Sequence, residues 1–169
     1  CGTGAVGVRL ALADAAEAAD KATAALGRRG SGEVARAMTA SGGVAREHAV
    51  AVAWSEGEVR IGGAAKASVP FAPAFNHPHP DATTLVLLTT DATVEAGGLD
   101  GLLGRAVSRS FERVMVDQAP GMADAAVLLA NATAAAPTLR PGSDGAAAFE
   151  SALTQLCESL AEGLALRVP

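Results

Sequence analysis

The segment TTLVLLTTDA, residues 83–92, constrains this chain more than any other. Threonines open and close a β-branched, aliphatic run with the length of an ordinary buried strand. The residues before it, ASVPFAPAFNHPHPDA (67–82), carry Pro70, Pro73, Pro78 and Pro80 and read as a long loop. A loop of that length inside a compact domain is usually functional or mobile.

The rest of the chain supplies what such a strand needs. Residues 12–27, LADAAEAADKATAALG, read as an alanine-rich helix, acidic early, with Lys21 later and Gly27 as its stop. RRGSG is a turn, and EVARAMTA is a short helix closed by SGG. HAVAVAWS (48–55) alternates as a strand does, and EVRIGG (58–63) is its expected hairpin partner across Glu56–Gly57. Residues 95–114, EAGGLDGLLGRAVSRSFERV, read as one helix. AAVLLANA (125–132) is a strand or a buried helical turn, and periodicity leaves both open. Residues 146–166 form an amphipathic helix with Phe149, Leu153, Leu156, Leu160 and Leu164 on one face. This order implies a layered α+β or α/β sandwich, in one domain over residues 1–169.

Composition narrows the function. Half the residues are apolar but only 3% are aromatic, and there is no tyrosine. A core rich in Ala and Val demands close approach between elements. The net charge is −5, and the arginines (Arg28, Arg29, Arg105, Arg109, Arg113) are scattered. That argues against nucleic acid and anionic membrane as partners. No apolar run is long enough to span a bilayer, and no signal peptide is read. Cys1 and Cys157 offer neither a disulfide framework nor metal-type spacing, so a reduced, cytoplasmic setting is expected. The chain begins with Cys rather than Met, as a processed chain or a piece of something longer would.

Four stretches carry candidate chemistry. GTGAVG (2–7) matches a phosphate-cradling glycine pattern, but that fingerprint needs a preceding strand and a later acid at a strand end; a plain glycine turn is the simpler reading. His77, His79 and Asp81 have metal-ligand chemistry in HPHPD, although the prolines hold the stretch extended, and no metal is expected. His48 reads as a strand-edge polar residue, and Cys157 as a packed rather than reactive thiol. Thr83 remains. A threonine hydroxyl becomes a nucleophile when the residue is N-terminal and its own α-amine acts as base. The ordinary α-amine value of about 7.7–8.0 suits that task. Cleavage at Ala82–Thr83 would create that amine, and the small Ala82 suits attack on its carbonyl.

The run LVLLTTDATVEAGGLDGLLGRAVSRSFERVMVDQAPGMADAAVLLANA resembles the β-chain start of the glutamate N-acetyltransferase / ornithine acetyltransferase family. Matching pieces are Ala82-Thr83-Thr84-Leu85, Thr90-Asp91-Ala92, Ser110-Phe111, Val116-Asp117 and Val127 to Asn131; they align without a gap, which selects Thr83 over Thr84. Upstream, CGTGAVG, AMTA and IGGAAK are similar to further family segments. The resemblance implies a layered α/β sandwich of the ornithine acetyltransferase type, similar to but distinct from the N-terminal-nucleophile hydrolases. It implies Thr83 as nucleophile, cleavage between Ala82 and Thr83 into 1–82 and 83–169, Thr3 and Gly4 at the oxyanion hole, and Thr39 and Lys66 as substrate-binding residues. The implied reaction is ping-pong acetyl transfer from an N-acetylornithine-like donor to a glutamate-like acceptor, with no cofactor. The expected partners are a small amino-acid substrate and further copies of the chain, in an oligomer that buries its alanine-rich faces. Two departures define an alternative. Gln118 to Ala123 replace the family's polar G-D-x-S-T-N, with only Asp124 following as in the family pattern, and the family's C-terminal substrate clamp has no counterpart within residues 1–169. A catalytically inactive relative, serving as a binding or structural module, would fit those departures.

Overall fold

The computed structural model describes residues 11–27, 29–39, 44–67, 84–114 and 124–165. In chain order the elements are α1 (Leu12–Ala24), α2 (Ser31–Met38), β1 (Val44–Trp54), β2 (Gly57–Ala67), β3 (Thr84–Thr90), α3 (Gly98–Arg109), α4 (Phe111–Val114), β4 (Ala125–Ala130) and α5 (Asp144–Ala165). The strands form a four-stranded sheet in the order β1-β2-β3-β4. The first two pairings are antiparallel and the last is parallel, with α3 and α4 in the crossover. The architecture is α/β, with helices packed on a mixed sheet.

The expected apolar stripe drives the packing. Phe149, Leu153, Leu156, Leu160 and Leu164 of α5 are all buried, together with Cys157 and Ala161. They join Val52, Val59, Ile61, Val86 and Leu88 of the sheet in one core cluster. Burying each large side chain contributes about 1.5–3 kcal/mol, so this face outweighs any surface interaction. Helix α1, in contrast, buries no residue. Its Glu17–Lys21 ion pair is exposed and adds little.

Helix α5 lies along β1. Gly145 sits against Trp54 and Gly163 against Arg46. The helical rise between those glycines, about 27 Å, matches the strand length between their partners, about 27 Å. Helix α2 packs against β1 and β2, with Gly32 beside the Glu47 carboxylate. Glu47 and its partner Ala64 lie on the opposite face of the sheet from Trp54 and Arg46, by strand alternation. Ala64 and Ala65 are both buried in succession because α2 covers one face and α5 the other.

Two expectations change and one open choice closes. The hairpin turn is Ser55–Glu56, one residue earlier than Glu56–Gly57, because Gly57 pairs with Trp54 in the ladder. Gly57 is needed for space rather than for the turn: a Cβ there would lie 2.9 Å from the Ala136 Cβ. The single helix expected over 95–114 is interrupted. Val94 bridges Leu139 and the Glu95 N–H donates to the Leu139 carbonyl at 3.1 Å, so α3 begins only at Gly98. At its other end Ser110 leaves helical geometry, its Oγ donates to the Ala106 carbonyl at 2.7 Å, and Phe111 enters the core. The open choice over AAVLLANA resolves as a strand, because β3 offers a parallel partner. His48 is exposed on β1, an edge strand, as expected.

The two glycines of α5 should respond differently to substitution. A Cβ at Gly145 would sit 2.8 Å from the Trp54 ring, while at Gly163 it would meet the flexible stem of Arg46 at 2.9 Å. Gly145→Ala should cost about 1–3 kcal/mol through overpacking. Gly163→Ala should be neutral or stabilise by up to about 1 kcal/mol through helix propensity. Urea unfolding of both variants measures this, and equal losses would refute the distinction.

Candidate active site at the start of strand β3

Strand β3 begins at Thr84, the residue covalently joined to Thr83. Its antiparallel register with β2 places Ala67 opposite Thr84 and Lys66 opposite Leu85. Its parallel register with β4 places Ala125 beside Leu85. Asp124, one residue earlier, therefore arrives beside Thr84. The Thr84 backbone N–H donates to Asp124 Oδ1 at 2.7 Å. A side-chain carboxyl oxygen thus accepts the first N–H of the strand. Thr84 is buried, while Asp124 and Lys66 are half-buried. The sequence thus folds a cation and a carboxylate to the same end of the central strands, one on either side of β3.

Thr39 follows α2, and its Oγ donates to the Arg36 carbonyl at 2.7 Å. With that proton committed, the Thr39 oxygen is left as an acceptor. Thr39 and Lys66 belong to elements that pack on one another, since α2 rests on β1 and β2. Thr3, Gly4, Ala82 and Thr83 lie outside the described residues, as do the 2–7 glycine segment, His77, His79 and Asp81.

The Thr90-Asp91-Ala92 motif serves the other end of β3, about 20 Å from Thr84. The Arg60 N–H donates to Asp91 Oδ1 at 2.6 Å, and Thr90 Oγ donates to the Arg60 carbonyl at 2.8 Å. The Ala92 N–H in turn donates to Thr90 Oγ at 3.2 Å. These bonds fasten β3 to β2, so the motif is structural here. A further polar cluster joins α3 to α5. Glu150 accepts from Arg105 Nε and Nη2 at 2.9 and 2.8 Å, with Arg109 at 3.5 Å. The Arg105 hydrogen bonds hold the Glu150 carboxyl below its ordinary range. Cys157 is fully buried, and burial pushes its thiol up to about 11. It is protonated at neutral pH and is not a nucleophile.

The family model described as the ArgJ family matches residues 1–166. The chain belongs to the ArgJ family. It is 32% identical over 163 residues to the arginine biosynthesis bifunctional protein ArgJ of Synechococcus sp., covering 96% of this chain and 38% of that protein. The protein of the same name from Symbiobacterium thermophilum is 33% identical over 163 residues, covering 96% and 39%. That of Methylococcus capsulatus is 42% identical over 87 residues, covering 51% of this chain and 21% of its own length. The chain thus spans well under half the length of these relatives. The resemblance read from the motifs is borne out at the level of the family. Sequence reasoning matched Asp124 to the ArgJ pattern but gave it no role; the signal was an acid standing immediately before AAVLLA.

Two outcomes follow from the side chains outside the strand end. Cys157 should stay unalkylated in the native protein at pH 8 and label on denaturation, as read by peptide mapping; rapid native labelling would show that the thiol is not sealed. Because Glu150 is lowered in the fold, its contribution is present above its ordinary value of about 4.5 and is lost as the pH falls through the folded value. The stability gap between the wild type and Glu150→Gln should therefore be largest near neutral pH and close below about 4.5 in thermal melts. A gap independent of pH would exclude the ionised pair as its source.

Proposed function

We propose that this chain is a divergent part of an acetyl-transferring enzyme of arginine biosynthesis, acting through an acyl-Thr83 intermediate. The observation that carries the reading is the ArgJ family match over residues 1–166, a range that includes Ala82–Thr83, in a chain whose central strand begins at the next residue. The names of the relatives support the pathway.

The chemistry runs in two stages. In the first, Thr83 Oγ attacks the Ala82 carbonyl carbon, the Ala82–Thr83 C–N bond breaks, and the nitrogen becomes the Thr83 α-amine. Water then hydrolyses the resulting ester, leaving an Ala82 carboxylate and a free Thr83 hydroxyl. The products are 1–82 and 83–169, still one assembly. In the second, the α-amine takes the Thr83 hydroxyl proton while Oγ attacks the acetyl carbonyl of an N-acetylornithine-like donor, and the donor amine departs with that proton. The amine of a glutamate-like acceptor then attacks the acetyl ester, forms the new amide and restores the hydroxyl. Thr3 and Gly4 supply the oxyanion hole, and Lys66 and Thr39 hold the amino-acid portion. No cofactor takes part.

A layered sandwich belongs to the same reading. Ala49, Ala51 and Ala53 of β1 and Leu129 of β4 are exposed on the sheet face opposite α5. A further layer or another subunit would cover them. The same exposed side chains favour the second reading, an inactive relative that works as a binding module.

Intact mass under denaturing conditions separates the two. The wild type should give two fragments, the second beginning at Thr83, and Thr83→Ala should remain one uncut chain. A single uncut species in both would remove the nucleophile and leave the binding module.

A further inference from the structure

We infer that Asp124 is a positioning residue for the Thr83 nucleophile, acting through the Thr84 amide. This rests on the proposed role of Thr83. The clamped atom decides the inference. The Thr84 nitrogen belongs to the Thr83–Thr84 peptide and is two bonds from the Thr83 Cα. Asp124 Oδ1 accepts its proton at 2.7 Å. Peptide planarity carries that constraint to the Thr83 carbonyl.

The bond sits at the first described rung of the β3–β4 end. The paired register of β3 and β4 begins at Leu85 and Ala125. One rung earlier a side-chain carboxylate takes the place of a backbone acceptor, so among the described residues Asp124 extends the pairing on that side towards Thr83. On the other side, Ala67 of β2 is paired with Thr84. Cleavage breaks the Ala82–Thr83 bond and leaves the Thr84 N–H intact. The Asp124 bond therefore persists through the event that turns Thr83 into a chain terminus. Chain termini fray unless tied down, and an in-line attack tolerates little misplacement; a shift of about 1 Å can cost about 100-fold in rate.

The test compares the rate of fragment formation, by intact mass, in the wild type, Asp124→Ala and Asp124→Asn, with Thr83→Ala as the uncut reference. Asparagine keeps an oxygen that accepts the Thr84 N–H, and alanine does not. Asp124→Ala should cut about 100-fold more slowly, and Asp124→Asn should recover most of the rate. A strand cap with no bearing on the nucleophile would leave cutting unchanged in a folded Asp124→Ala, and that result overturns the inference while Thr83 stands. Equal slowing in folded Ala and Asn variants also overturns it, because the acceptor would then be irrelevant. A wild type that never cuts removes the Thr83 reading and the inference with it. Where Asp124→Ala does not fold, the Thr84 amide resonance of the Thr83→Ala chain decides. Its exchange with solvent deuterium should be slow, as for a bonded N–H, and exchange at the rate of a free amide overturns the bond.

Discussion

Helix α5 can lie flat along β1 and β2 only because the surface at the Trp54 end of that contact is small. Gly145 admits the Trp54 ring and Gly163 admits the Arg46 stem. Between them, Phe149 and the leucines of the stripe meet Val52, Val59 and Ile61 in one cluster. A chain with 3% aromatic residues has few bulky side chains with which to fill a wide gap. Its stability depends on narrowing the gap instead, since interiors must reach crystal-like density. The position of the sheet, and so of everything attached to it, follows from that approach.

With the hairpin fixed, the order of the strands sets the chemistry. An antiparallel step brings β3 back along β2, and the Lys66 end of β2 meets the Thr84 end of β3. The next step is parallel, which requires a crossover. That crossover delivers the start of β4, and Asp124 with it, to the start of β3. Had the third step also been antiparallel, the same end of β3 would have met the end of a strand rather than its beginning. The grouping of Lys66, Thr84 and Asp124 is therefore a product of topology, not of proximity in the chain.

The parts legible in the sequence were those whose signal is local. The α5 stripe is written at helical spacing, and the apolar run of β3 is written as a strand; both are where they were expected. What was not legible depended on distant partners. AAVLLANA is apolar throughout, so only the parallel pairing with β3 made it a strand. The helix read over 95–114 was shortened by Leu139, which claims Val94 and Glu95. Gly57 attracted the turn reading, yet it is glycine because Ala136 and Pro137 press against it. Asp124 looked like one more matched letter. Its hydrogen bond spans 40 residues of sequence and has no periodic trace. Family motifs reached further than local physics, because they carry such pairings without explaining them.

The fastening of Thr90 and Asp91 to Arg60 has a consequence at the other end of the strand. A β-strand that slides by one residue exchanges its two faces. The bonds at Arg60 forbid that slide, so β3 behaves as a ruler whose zero is set at its far end. Thr84 meets Asp124 because the count from Asp91 is correct. Loosening the zero would show itself as an error of frame about 20 Å away, with no atom near Thr84 altered.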